Sequence, residues 1–139
     1  MNDSVLHGSC LCGAVTYEVE PPFKMMLHCH CSRCRKGTGT GHATNLIADP
    51  SHFRWLSGAN GITRYDLPAA KSFSKWFCSQ CGCPVPRLRR AGDLMVIPAG
   101  SLDSIPPVKP TDHIYWGSRA PWSCDSGGLP THDELPVSR

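Results

Sequence analysis

The chain has 139 residues and a mass of 15.2 kDa, about one domain's worth, and its 40% hydrophobic and 18% charged residues exclude wholesale disorder. A formal net charge of +3 is too small to imply nucleic acid as a partner. No stretch approaches the roughly 20 apolar residues of a membrane-spanning helix.

Met1-Asn2-Asp3-Ser4 lacks the basic and apolar regions of a secretory signal. A cytoplasmic location with reduced thiols is therefore expected, and there clustered cysteines point to metal rather than to disulfides. In chain order, Ala14–Val19 alternates apolar and polar residues as a half-buried strand does. His42–Ala48, Phe53–Leu56, Ile62–Asp66 and Ser72–Phe77 read in the same way, and Leu94–Ile97 reads as a short buried strand. The 13 Pro and 13 Gly are spread through most of the chain and leave little room for long helices. A mostly β domain over residues 1–139 is expected, with an irregular tail over 121–139 where prolines and Gly127-Gly128 replace aliphatic residues.

Of the nine cysteines, all but Cys124 fall in three clusters: Cys10/Cys12, Cys29/Cys31/Cys34 and Cys78/Cys81/Cys83. Zn–S bonds of about 2.3 Å place the sulfurs of a tetrahedral site roughly 3.8 Å apart. A Cys-x-x-Cys turn reaches that separation readily, and Gly82 after Cys81 suits a tight knuckle with φ > 0. An extended Cys-x-Cys holds its Cβ atoms about 7 Å apart, so the first pair needs a backbone turn, which Gly8 and Gly13 would allow. One Cys-x-Cys and one Cys-x-x-Cys make a closed four-thiolate site, which is usually structural: Cys10, Cys12, Cys78 and Cys81. Cys29, Cys31 and Cys34 remain as three ligands with one open position, the pattern of a catalytic site.

Spacing alone leaves alternatives. His28, His30, His42, Cys83 or Cys124 would complete the triplet, although strand alternation points His28 and His30 away from the thiols. Cys83 and Cys124 read more simply as small buried hydrophobes. Iron–sulfur ligation lacks the ferredoxin spacings, and a redox dithiol at Cys78/Cys81 lacks its βαβ context.

Longer motifs carry a resemblance. Gly8-Ser9-Cys10-Leu11-Cys12-Gly13-Ala14-Val15 with Tyr17, Cys29-His30-Cys31-Ser32-Arg33-Cys34-Arg35-Lys36-Gly37 and Phe77-Cys78-Ser79-Gln80-Cys81-Gly82 resemble three signatures of the glutathione-dependent formaldehyde-activating enzyme family, which includes centromere protein V. Ala99–Asp103, Pro110–Ile114 and Ser118–Trp122 with Leu129-Pro130 resemble its later motifs. The resemblance implies a β-tent fold of stacked small antiparallel sheets stapled by zinc. It implies two Zn²⁺ per chain, one structural (Cys10, Cys12, Cys78, Cys81) and one catalytic (Cys29, Cys31, Cys34). It also implies carbon–sulfur lyase chemistry on glutathione–aldehyde adducts, giving S-hydroxymethylglutathione from glutathione and formaldehyde.

Fold does not fix reaction, so two rival functions stand beside this one. They are an enzyme of the same fold acting on another small thiol adduct, and a non-catalytic zinc-stabilised binding module. Arg33, Arg35 and Lys36 flank the triplet as candidate contacts for glutathione carboxylates, against a solvated basic edge. Arg87, Arg89 and Arg90 read as a solvated surface. His42 reads as a proton shuttle or a buried packing residue, and His113 sits in a family motif without a legible role. Trp55, Trp76, Trp116 and Trp122 read as core or rim. A small thiol or aldehyde is the expected partner, and neither membrane nor nucleic acid is. The oligomeric state is not legible.

Overall fold

The structure, a computed structural model, describes residues 5–123 and 128–136. Among the described residues ten short strands and one α-helix follow in chain order: β1 Leu6–Ser9, β2 Thr16–Val19, β3 Phe23–Cys29, α1 Ser32–Thr38, β4 Ala43–Ala48, β5 Phe53–Ser57, β6 Ile62–Asp66, β7 Ser74–Cys78, β8 Arg87–Leu88, β9 Met95–Pro98 and β10 Asp112–Ile114. They form a three-stranded sheet ordered β1-β2-β5, a five-stranded sheet ordered β10-β3-β4-β9-β8, and the β6-β7 hairpin. The mostly β architecture of small sheets is the one expected. Among the described residues no helix is long and apolar enough to cross a membrane.

One pairing departs from an all-antiparallel arrangement. β10 runs parallel to β3, with His113 opposite His28 and Ile114 opposite Cys29. Three residues suffice for this strand because its partner is already held by β4 on the other side.

Strand ends moved where turns compete for the backbone. β2 starts at Thr16 rather than Ala14, because the Cys10 N–H donates to the Val15 carbonyl at 3.0 Å and draws Ala14 and Val15 into the turn. β7 starts at Ser74 rather than Ser72, since the Leu67 N–H donates to the Phe73 carbonyl at 3.2 Å and closes the preceding loop. β3 escaped the sequence reading because its alternation is broken by an irregularity between Phe23 and Met25.

The main core joins Leu6, Tyr17, Val19, Met26, Leu46, Ala48 and Ile97 from the two larger sheets. Val19, Leu46 and Ile97 are fully buried, each worth about 1.5–3 kcal/mol by area removed from water. Tyr17 is buried with its hydroxyl 2.6 Å from Ser101 Oγ, which donates onward to the Pro98 carbonyl at 2.7 Å. Gly8 does not turn the chain as expected. It lies in β1 directly opposite Tyr17, and a Cβ there would stand 2.2 Å from the ring's Cζ. Glycine is needed to admit the ring, not to bend the strand.

A second core centres on Cys10, Val15, Cys78 and Val85, flanked by Trp55, Ile62 and Trp76. The proposed staple residues are thus part of the packing that joins the first turn to β7.

Candidate metal centres

The first group is assembled from two turns. After β1, the Gly13 N–H donates to the Cys10 carbonyl at 3.1 Å, and Gly13 takes φ +81°. After β7, the Gly82 N–H donates to the Cys78 carbonyl at 2.8 Å, and Gly82 takes φ +74°. Both positions lie in the left-handed region that favours glycine. The Sγ atoms of Cys10, Cys12, Cys78 and Cys81 all lie within 4.8 Å of one another. Cys12 Sγ is 3.7 Å from that of Cys10 and 3.8 Å from that of Cys78, the sulfur spacing of a tetrahedral zinc site.

The second group is more local. Cys29 ends β3, Cys31 caps α1, and Cys34 lies in the helix's first turn. Cys31 Sγ accepts the Cys34 N–H at 3.3 Å. The Cys34 thiol donates to Cys29 Sγ at 3.1 Å, and both remain free cysteines. These three sulfurs also lie within 4.8 Å of one another, and among the described residues no His, Cys, Asp or Glu joins them. Cys83 is half-buried, and its S–H donates to the Pro84 carbonyl at 3.4 Å. Cys124 lies outside the described residues.

Thiols packed this closely cannot all ionise without a cation among them. In the triplet, the bond from Cys34 holds Cys29 down at about 6, while the same bond and burial push Cys34 upward. In the quartet, the Cys83 N–H is the main influence that holds Cys81 at about 6. The Ala14 N–H lowers Cys12, but burial and bonds with Cys10, Cys78 and Cys81 outweigh it and push Cys12 up to about 11. Each group therefore retains protons that a divalent ion would displace. All-sulfur sets of this size and spacing fit zinc.

The sequence reading missed the histidine neighbourhood. His28, His30, His42 and His113 pack together with ring centroids 4.3–6.3 Å apart, and Trp116 meets His30 edge-on at 4.9 Å. His30 Nε2 lies 2.8 Å from His113 Nδ1, and His28 Nδ1 lies 2.7 Å from Thr44 Oγ1. Burial, reinforced by His42, lowers both His28 and His30, which keeps them neutral. None of these rings enters the triplet. His42 is half-buried rather than enclosed.

The basic residues divide differently from expectation. Arg33 and Lys36 are exposed on α1, while Arg35 is half-buried with its Nε enclosed. Arg89 is on the surface and pairs with Asp93 at 3.0 Å. Arg87 and Arg90 are half-buried rather than spread on a solvated surface. Arg90 donates to the Ala70, Leu67 and Phe73 carbonyls at 2.9, 3.0 and 2.8 Å and ties down the loop before β7. Arg87 turns inward from β8, with Cζ 5.3 Å from the Phe73 ring centroid, to a cavity that Cys34 also lines. The requirement of the loop carbonyls for donors, which composition does not reveal, is what draws Arg90 in.

Comparisons with known proteins bear on the family and the fold. Residues 5–118 match the model of the family described as glutathione-dependent formaldehyde-activating enzyme. A Halomonas elongata protein provisionally named as such an enzyme is 37% identical over 82 residues, covering 55% of this chain. The match spans about half of that relative's length, 52%. A crystal structure of a Rhodobacter sphaeroides protein is similar with a TM-score of 0.61 and 28% identity, over 77% of this chain and 98% of that one. With the family's match running through all three cysteine clusters, the chain belongs to the glutathione-dependent formaldehyde-activating enzyme family.

Proposed function

We propose that the chain is a zinc-dependent enzyme that joins a small thiol to a small aldehyde, with glutathione and formaldehyde the pair named by its family. The observation that carries this reading is the triplet Cys29, Cys31 and Cys34: three mutually close thiols with no fourth protein ligand among the described residues. Cys10, Cys12, Cys78 and Cys81 then hold a structural zinc, since a closed four-thiolate set leaves no position for substrate.

A zinc ion at the triplet would keep a substrate thiol ionised at neutral pH. The chain's residues supply the rest. Cys29 and Cys34 present sulfurs from β3 and α1, and Cys31 holds the helix start against them. Arg33, Arg35 and Lys36, on the same helix as Cys34, offer positive charge to an anionic thiol. In the reaction a C–S bond forms between the thiol sulfur and the carbonyl carbon. The C=O π pair moves to oxygen, and the proton that leaves sulfur ends on that oxygen. Nothing is oxidised or reduced, and the reverse step is carbon–sulfur cleavage.

The test is elemental analysis of protein purified with zinc, paired with NMR exchange rates between glutathione, formaldehyde and S-hydroxymethylglutathione. Two zinc ions per chain and exchange faster than the uncatalysed background are expected. Exchange at the background rate in fully loaded protein overturns the reading.

A further inference from the structure

Beside the triplet lies a cavity of about 90 Å³ that nothing in the thiol chemistry requires. Cys34, Gly37 and Thr38 of the α1 segment form one wall; Ser74, Lys75 and Trp76 of β7 and Arg87 of β8 form the other. Phe73, Val85 and Val96 supply apolar lining. Among the described residues no aspartate or glutamate lines it.

Three of the lining side chains carry a buried polar atom without a hydrogen-bond partner among the described residues: Ser74 Oγ, Trp76 Nε1 and Arg87 Nη1. Ser74 is only 1% exposed. All three atoms are able to donate, and for the indole and guanidinium nitrogens donation is the only option. Buried donors left unpaired are costly, and native proteins rarely leave several together. Here all three belong to residues that line one cavity.

The charge points the same way. Lys75 Nζ donates to the Gly37 carbonyl, and among the described residues neither Lys75 nor Arg87 pairs with a carboxylate. Burial is the main influence on both and works against their charge. Two cations, three orphaned donors and an apolar lining call for a small anion on a hydrocarbon stem. A guanidinium fork matches a carboxylate in particular.

We propose that this cavity binds a carboxylate of the substrate, held by Arg87, Lys75, Ser74 and Trp76, and so selects an acidic reactant for the thiolate centre. The proposal rests on the thiol–aldehyde reading for the identity of the reaction, but not for the binding itself. Charge compensation of the triplet's thiolates would account for Arg87 and, through Cys34, for Lys75. It would leave the Ser74 and Trp76 donors unexplained.

The test uses the zinc-loaded full chain, ¹⁵N-labelled, titrated with acetate and with acetamide of the same shape. Acetate is expected to shift the Trp76 indole N–H saturably, with acetamide at least about 10-fold weaker, the range of a bond to a charged group. Arg87→Gln should weaken acetate by a similar factor. Ser74→Ala should weaken it less, and it serves as the readout if the arginine variant fails to fold. Equal binding of acetate and acetamide, no saturable shift, or unchanged acetate affinity in the variants overturns the proposal.

Kinetic arms then locate the carboxylate. Mercaptoacetate preferred over 2-mercaptoethanol places it on the thiol, and glyoxylate preferred over formaldehyde places it on the aldehyde. In either case Arg87→Gln should cut the preference ratio about 10-fold. Acetate binding without thiol–aldehyde turnover would remove the reaction and keep the subsite. Turnover without acetate binding would do the reverse.

Discussion

Cys12 Sγ and Cys78 Sγ stand 3.8 Å apart although 66 residues separate them in the chain. The pair ties the turn after the first strand to the end of β7, inside a core that also holds Cys10, Val15 and Val85. Cys12 Sγ also donates to Gln80 Oε1 at 3.7 Å, and this long-range tie gives the four-thiol group its weight in the fold.

Cys78→Ser is therefore expected to unfold the chain. A structural zinc contributes about 10–16 kcal/mol of apparent binding free energy at neutral pH, against a total stability of about 5–15 kcal/mol for a domain. Near-UV circular dichroism and thermal melts would show loss of the cooperative transition, and a strong chelator should do the same to the native chain. A folded, cooperative Cys78→Ser protein would remove the staple from the account.

Cys31→Ser should behave in the opposite way. Serine is among the best helix N-caps, so α1 keeps the bond that Cys31 Sγ now accepts from the Cys34 N–H. The expected result is a folded chain that retains one zinc instead of two and loses thiol–aldehyde exchange to the background rate. Elemental analysis and the melting curve read the two halves separately. A Cys31→Ser chain that unfolds would make the triplet structural.

The contrast between these two sites marks what was legible in the sequence. Knuckles such as Cys78-Ser79-Gln80-Cys81-Gly82 are local: spacing and one left-handed glycine nearly determine where the sulfurs go. The family motifs carried the partition further than spacing did. The surroundings were another matter. His113 reaches His30 only because a three-residue parallel strand docks on β3, and no local pattern announces a parallel pairing that short. α1 has no buried residue and no apolar period, so its caps define it rather than its composition. Arg87 and Arg90 sit in one basic run with Arg89, yet the first faces a cavity and the last clamps a loop. Charge alone does not separate a solvated arginine from one recruited by unpaired carbonyls.

Tyr17 and Gly8 give a prediction independent of metal. The ring is anchored through Ser101, and a Cβ at position 8 would meet its Cζ at 2.2 Å. Gly8→Ala should destabilise the fold by about 1–3 kcal/mol, the usual cost of overpacking. Gly100→Ala, where an added Cβ meets nothing within 4 Å, should stay within about 0.5 kcal/mol. Denaturant midpoints of the two variants make the comparison, and equal midpoints would mean that the ring relaxes freely.

The last prediction concerns protons. Cys29 is held at about 6 by the bond from Cys34, whereas Cys34 is pushed upward by the same bond. At about pH 7.5 Cys29 therefore meets an incoming zinc ion already ionised and releases almost no proton, while Cys34 must release one. At about pH 5 Cys29 is protonated as well, so filling the triplet should release about one proton more than at the higher pH. The sign follows: as pH falls through 6, affinity at the triplet drops more steeply, because one further proton competes with the ion. Calorimetry of zinc uptake in buffers of different ionisation heat counts the protons directly. The starting protein should keep its four-thiol site filled, so that uptake at the triplet alone is measured. A proton count that stays flat between these pH values would mean that Cys34 does not stabilise the Cys29 thiolate. The 3.1 Å contact would then be packing between two neutral thiols.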